Sequence, residues 1–205
     1  MVEKLEKLKL HLMEKIKCLF LVLFLMGCAP NDKEAIDYYV FNTPLYDYDV
    51  EEKIKSLNIE LPVPGKPIAN YVPTVRFSEG ENTMLVYVSG TGPRKKEGGY
   101  VTGRLGEDMT IEEGYGAARL VGVNILASLK KEIGDLNKVK RFVKVIGMVN
   151  STSDFYEQPA VINGFSDFIV EVFGERGKHA RSAVGMVSLP SKIPVEVEVV
   201  VEVLR

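Results

Sequence analysis

An arginine and a row of carboxylates stand at regular spacing near the C-terminus, within residues that otherwise read as apolar β-strand. Arg181 opens one β-branched run, residues 180–189, and Glu196, Glu198 and Glu202 punctuate a second, residues 195–204. Side chains alternate across a strand, so Val195, Val197, Val199, Val201 and Val203 share one face while Glu196, Glu198, Val200 and Glu202 share the other. The first face is core. Two such runs separated only by Pro-Ser-Lys-Ile-Pro read as a hairpin, which brings the Arg181 guanidinium and the carboxylates into one neighbourhood. Two chemistries fit that grouping: ordinary ion pairs on a solvated sheet face, each of little worth, or a site that grips a small anion.

The residue counts narrow what else the chain can do. Both cysteines, Cys18 and Cys28, precede the folded part, so that part has neither an internal disulfide nor a cysteine nucleophile. Of the two histidines, His11 is N-terminal and His179 alone falls in the domain. A zinc site of the usual Cys/His kind is thereby excluded, and a Ser-His-Asp triad is excluded unless His179 serves in it. The net charge is −2 with lysine and arginine scattered, so no nucleic-acid footprint is expected. Arginine, carboxylates, hydroxyls and backbone amides are what remains for chemistry, and no cofactor or metal is expected.

The elements that position these groups are legible in order. At 205 residues and 46% hydrophobic content, one substantial core plus an extension is the expectation. Residues 50–57 suit a short helix, and the proline-rich 61–67 an extended segment. Strands are expected over 72–77 and 84–89. Ser89-Gly90-Thr91-Gly92-Pro93 follows as a glycine-rich loop without the Gly-Lys-Ser/Thr ending of a phosphate-binding loop. Thr110 and Glu113 have capping-box spacing, and Ile111, Tyr115, Ala118, Gly122, Ile125, Leu129 and Ile133 form a helical stripe that Gly134 ends. A strand over 139–149 and a helix over 158–173, stopped at Gly174, precede the two C-terminal runs. The fold class is α+β: a mixed sheet with two helices on one face and the carboxylate-bearing face turned to water or to another subunit.

Residues 1–27 resemble a bacterial lipoprotein signal, best with translation starting at Met13. A basic start is followed by an apolar run too short to cross a bilayer, which takes about 20 residues, and the run closes on Leu25-Met26-Gly27-Cys28. That resemblance implies a lipidated Cys28, a tether over 28–49, and a membrane-anchored protein outside the cytosol. The alternatives are an amphipathic or buried N-terminal helix and a cytoplasmic location. The domain is placed at 50–205.

Taken together, Asn70-Tyr71-Val72-Pro73, Val88-Ser89-Gly90, the run from Lys144 to Asn150, Asn163, Ala180-Arg181-Ser182 and Val195-Glu196-Val197-Glu198 resemble the YjgF/RidA family. The closest likeness is to its L-PSP endoribonuclease-like, chorismate mutase-like subgroup, over residues 50–205. The resemblance implies a chorismate mutase-like fold and a homotrimer with sites in the clefts between subunits. It also implies hydrolysis of enamines and imines such as 2-aminoacrylate to 2-oxo acids and ammonia. Arg181 then corresponds to the arginine that holds the substrate carboxylate and Glu196 to the glutamate that positions water. Tyr71, Gly90, Asn163 and the backbone at Ala183 correspond to pocket walls. His179 stands where many relatives have proline, and Thr91 where glutamine is commoner. Two other functions fit the same residues: a trimeric module that binds a small carboxylate without turnover and, ranked last for want of a basic aromatic-lined surface, a ribonuclease.

Overall fold

The computed structural model describes residues 44–78 and 80–205, of which Leu45–Arg205 form one compact unit. The expected leader, the lipidation residue Cys28 and most of the tether lie outside the described residues. The expectation of a membrane-anchored lipoprotein is corrected: among the described residues no helix is long and apolar enough to cross a membrane. Tyr46 and Tyr48 pack within the unit, their hydroxyls donating to the carbonyls of Val139 and Val172.

The elements are α1 (Val50–Ser56), β1 (Thr74–Ser78), β2 (Thr83–Thr91), α2 (Ile111–Ile133), β3 (Val139–Asn150), α3 (Gln158–Phe173), β4 (Ala180–Met186) and β5 (Val195–Leu204). The α+β class stands, with three α-helices among the described residues rather than two. Thr110 and Glu113 form the capping box that starts α2: Thr110 Oγ1 accepts from Glu113 N at 3.2 Å, and the Glu113 carboxylate accepts from Thr110 N at 2.8 Å. Gly134 and Gly174 end α2 and α3 with φ of 81° and 56°, a region a side chain disfavours.

The sheet has five strands in the order β1-β2-β5-β3-β4. The expected β4–β5 hairpin does not form. Instead β5 inserts between β2 and β3, antiparallel to both, and β4 pairs parallel with β3 at the sheet edge. Helix α3 supplies the crossover that parallel neighbours require. The connection after β4 is itself anchored in the domain, since Leu189 and Ile193 are buried. The central place suits β5, whose inward valines at 195, 197, 199, 201 and 203 are all at most 2% exposed. Strand β3 carries a bulge between Phe142 and Lys144: Phe142 joins Val145 and Val149 in the core, while Val143 is exposed.

Helices α2 and α3 cover the valine face and touch each other closely. A Cβ on Gly164 would lie 2.0 Å from the Tyr115 carbonyl oxygen, a backbone atom that cannot rotate away. Gly116, one residue beyond Tyr115 on α2, has open space around it. Gly164→Ala should therefore destabilise the fold by about 1–3 kcal/mol, the usual range for overpacking. Gly116→Ala should stabilise it by about 0.5–1 kcal/mol through helix propensity alone. Thermal melts of the two variants check this, and an unchanged Tm for Gly164→Ala would contradict the helix crossing.

Candidate functional site

The pleat divides the expected site residues between two places. Arg181 lies opposite Val145, which lies opposite Val199, so Arg181 is on the helix-covered face of the sheet. Glu196 lies opposite Met148 on the open face. The guanidinium and the carboxylate that the sequence appeared to bring together are thus on opposite faces, separated by strand β3.

The first place is a cavity of about 470 Å³ at the open face, lined by Tyr71, Ser89, Gly90, Tyr100, Glu196 and Glu198 among others. Local structure explains how these meet. Between Val88 and Thr91 strand β2 carries a bulge against β5, and Ser89-Gly90 occupies it. The bulge turns Gly90 beneath Glu196, so closely that a Cβ there would fall 1.9 Å from the Glu196 carboxylate oxygen. Only glycine leaves that room. Ser89 ties the preceding segment to the strand: its backbone N–H donates to the Pro73 carbonyl at 2.9 Å and its hydroxyl to the Val72 carbonyl at 2.7 Å. Those bonds fix Tyr71 at the cavity wall.

Neither Glu196 nor Glu198 has an ion-pair partner among the described residues; the open-face carboxylate that does is Glu202, bonded to Lys140 at 2.7 Å. Burial, with Glu198 adding like charge, pushes the Glu196 carboxyl above the ordinary carboxylate range. A carboxylate held there takes up a proton more readily than usual, which suits acid–base work.

The second place is the outer end of the sheet beside α3. Arg181 Nη1 donates to Asn163 Oδ1 and to Ser166 Oγ, each at 2.9 Å, and Nη2 reaches the Pro159 carbonyl at 3.5 Å. Asn163 and Ser166 are three apart on α3 and so share a face. Ala183, two residues on from Arg181, shares its side of β4. Among the described residues no carboxylate pairs with Arg181, which removes the plain reading of a strand-to-strand ion pair. Its partners are neutral acceptors that orient the planar fork without neutralising it, the state in which an arginine can receive a carboxylate.

Sequence reasoning missed Tyr100 and Ser166. Tyr100 follows two glycines in an irregular loop and carries no period. Ser166 was visible only as a polar residue between Phe165 and Phe168 on the α3 pattern, and its link to Arg181 depends on β4 lying alongside.

These features define a class: an α+β protein with helices on one sheet face, an apolar and acidic opposite face, and anion-ready and acid–base groups on different sides. Residues 51–202 match the family model described as "YjgF/chorismate mutase-like, putative endoribonuclease". The chain is 42% identical over 154 residues to Protein TCP17 of Trypanosoma cruzi, covering 75% of this chain and 93% of that one. Solved structures that resemble it include the following two. One is the protein Atu1372 "with unknown function" from Agrobacterium tumefaciens, at 44% identity and TM-score 0.67, covering 75% of this chain and 92% of that one. The other is a "putative endoribonuclease" from Shewanella oneidensis, at 29% and 0.71, covering 76% and 100%. The chain belongs to the YjgF/RidA family.

A carboxyl whose folded-state pKa is raised favours the folded state in acid, and that advantage is lost as pH rises through the raised value. Glu196→Gln should therefore raise Tm at about pH 7.5, where the charge is held against its burial. The gain should vanish near pH 4, about where an unperturbed glutamate is half protonated. Paired melts at the two pH values test this; equal Tm at the higher pH would contradict the burial of Glu196.

Proposed function

We propose that the protein binds a small carboxylate-bearing imine or enamine in a cleft completed by a second copy of the chain, and hydrolyses it to a 2-oxo acid and ammonia. The observation that carries this reading is the Arg181 guanidinium, oriented by Asn163 and Ser166 and paired with no carboxylate of its own protomer. The carboxylate-lined cavity on the other face lacks a cation among its lining residues. Each half holds what the other lacks, and a neighbouring copy supplies the complement.

The open face supports association. Val75, Phe77, Tyr87 and Val184 are exposed there by 52, 56, 46 and 42%, an apolar surface that favours burial against another subunit. The assembly we propose, as the family resemblance implies, is a homotrimer. Sedimentation of the full-length protein should give a trimer at micromolar concentration, and a stable monomer would contradict the shared site.

In the proposed reaction Arg181 holds the substrate carboxylate through two parallel hydrogen bonds and fixes the adjacent C=N bond. Water adds to the imine carbon as Glu196 takes its proton. The same carboxyl returns that proton to nitrogen, giving the neutral carbinolamine; it then relays the hydroxyl proton to nitrogen as the C=O bond forms and the C–N bond breaks, releasing ammonia and leaving the 2-oxo acid. A raised Glu196 pKa suits both transfers, and such assistance is worth about 10²–10⁴-fold.

The comparisons favour a second reading, since the family description and the Shewanella oneidensis relative both carry the word endoribonuclease. Unpaired Glu196 and Glu198 would repel an RNA backbone entering their cavity, which is why the small-molecule reading is placed first. Ammonia release from 2-aminoacrylate generated in situ, beside cleavage of a single-stranded RNA, separates the two. Arg181→Ala should lose pyruvate binding by about 10–150-fold, the value of a charge-assisted contact, with Tm nearly unchanged. Glu196→Gln should keep that binding and lose ammonia release. Pyruvate binding by wild type without ammonia release would leave a binding module, and RNA cleavage abolished by Arg181→Ala would favour the nuclease.

A further inference from the structure

The seat of Arg181 is a chain of hydrogen bonds that runs in one direction. His179 Nδ1 lies 2.6 Å from the Gly177 carbonyl oxygen. A carbonyl only accepts, so Nδ1 carries the proton. In the neutral imidazole Nε2 then presents a lone pair, and it stands 3.0 Å from Ser166 Oγ. The single Ser166 proton is directed at His179, which turns the hydroxyl lone pairs toward Arg181 Nη1 at 2.9 Å.

Protonating His179 would reverse one link of this chain. Nε2–H would become a donor to Ser166 Oγ, the serine proton would lose its acceptor, and two cations would converge on one hydroxyl oxygen. Burial, and then the Arg181 charge, already hold the imidazole below its ordinary range, against an opposing hydrogen bond to Gly177. Other charges nearby in the fold are engaged elsewhere: Lys178 pairs with Glu175 at 2.6 Å, and Asp167 of α3 accepts from the Tyr115 hydroxyl at 3.0 Å. The Phe165 ring meets the imidazole edge-on and offers it no charge. Arg181 is thus the group that feels the titration.

We propose that Ser166 and His179 are positioning residues for Arg181, holding its guanidinium through a hydrogen-bond chain that requires a neutral imidazole, so that the carboxylate grip is released in mild acid. This rests on the reading of Arg181 as the carboxylate-binding group. The folded-state pKa of His179 is depressed, so the arrangement is complete above the ordinary histidine range and is lost as pH falls through the depressed value.

The test uses the full-length protein and two readouts. The chain has only two histidines, so imidazole nitrogen NMR, assigned with His179→Gln, reads the tautomer of His179 directly. The expected result is an Nδ1-protonated tautomer that titrates below the ordinary histidine range. In parallel, calorimetric pyruvate affinity should fall about tenfold as pH drops through the titration that NMR assigns to His179, the scale of one lost charge-assisted bond. His179→Gln, which cannot titrate, should flatten that dependence. Ser166→Thr, which keeps the hydroxyl, should retain it. An Nε2-protonated tautomer, or the same pH profile in wild type and His179→Gln, would overturn the proposal. The expected tautomer without pyruvate binding at any pH would refute the carboxylate site itself, and would leave the hydrogen-bonded chain as packing alone.

Discussion

The two-residue period of a central β-strand governs the molecule. In β5 every inward position is valine, and these side chains form the floor on which α2 and α3 pack. The same period forces Glu196, Glu198 and Glu202 outward, where no helix among the described residues covers them. Core and carboxylate row are therefore one sequence pattern seen from two sides. A one-residue slip of β5 would put glutamates under α2 and valines in water, so the register is set by the core and the chemistry of the open face follows from it.

That division gives the two halves of the candidate site their electrostatic character. Arg181, at the sheet edge beside α3, is satisfied by an amide oxygen, a hydroxyl and a backbone carbonyl, which leaves its charge unspent. Glu196, above Gly90, is half-buried beside a second carboxylate and pays an electrostatic cost for ionising there. Local partners that would neutralise each group are absent among the described residues. A protein organised only for stability has little reason to keep a bare guanidinium and a repelling carboxylate pair; a site that binds an anion and moves a proton needs both.

Much of this was legible before any fold was known, and the failures share one cause. The β5 alternation, the Thr110–Glu113 capping box and the glycines that end α2 and α3 are local signals, set by backbone geometry within a few residues. Strand pairing is not local. Two β-branched runs joined by five residues read as a hairpin, yet the crossover through α3 delivers β4 to the far side of β3 and leaves the central slot to β5. The bulge at Phe142–Lys144 is equally hidden in the sequence, because an inserted residue changes parity without changing composition. Spacing singled out Arg181 and Glu196, and a family resemblance added Gly90, Tyr71 and Asn163 to the candidate site, while their separation onto two faces followed only from the pairing. His179 and Ser166 lie thirteen residues apart on different elements, and no pattern in the sequence joins them.

In the proposed assembly Arg181 of one copy and Glu196 of another make a single site. Subunit mixing tests it most directly. Arg181→Ala and Glu196→Gln chains, each without ammonia release alone, are co-assembled in equal amounts and assayed against 2-aminoacrylate generated in situ. A site shared between neighbours in a closed ring predicts that about a quarter of the wild-type activity returns, since random assembly restores an intact Arg181–Glu196 pair at that frequency. No recovery in mixed oligomers, with mixing verified by mass spectrometry, would contradict it.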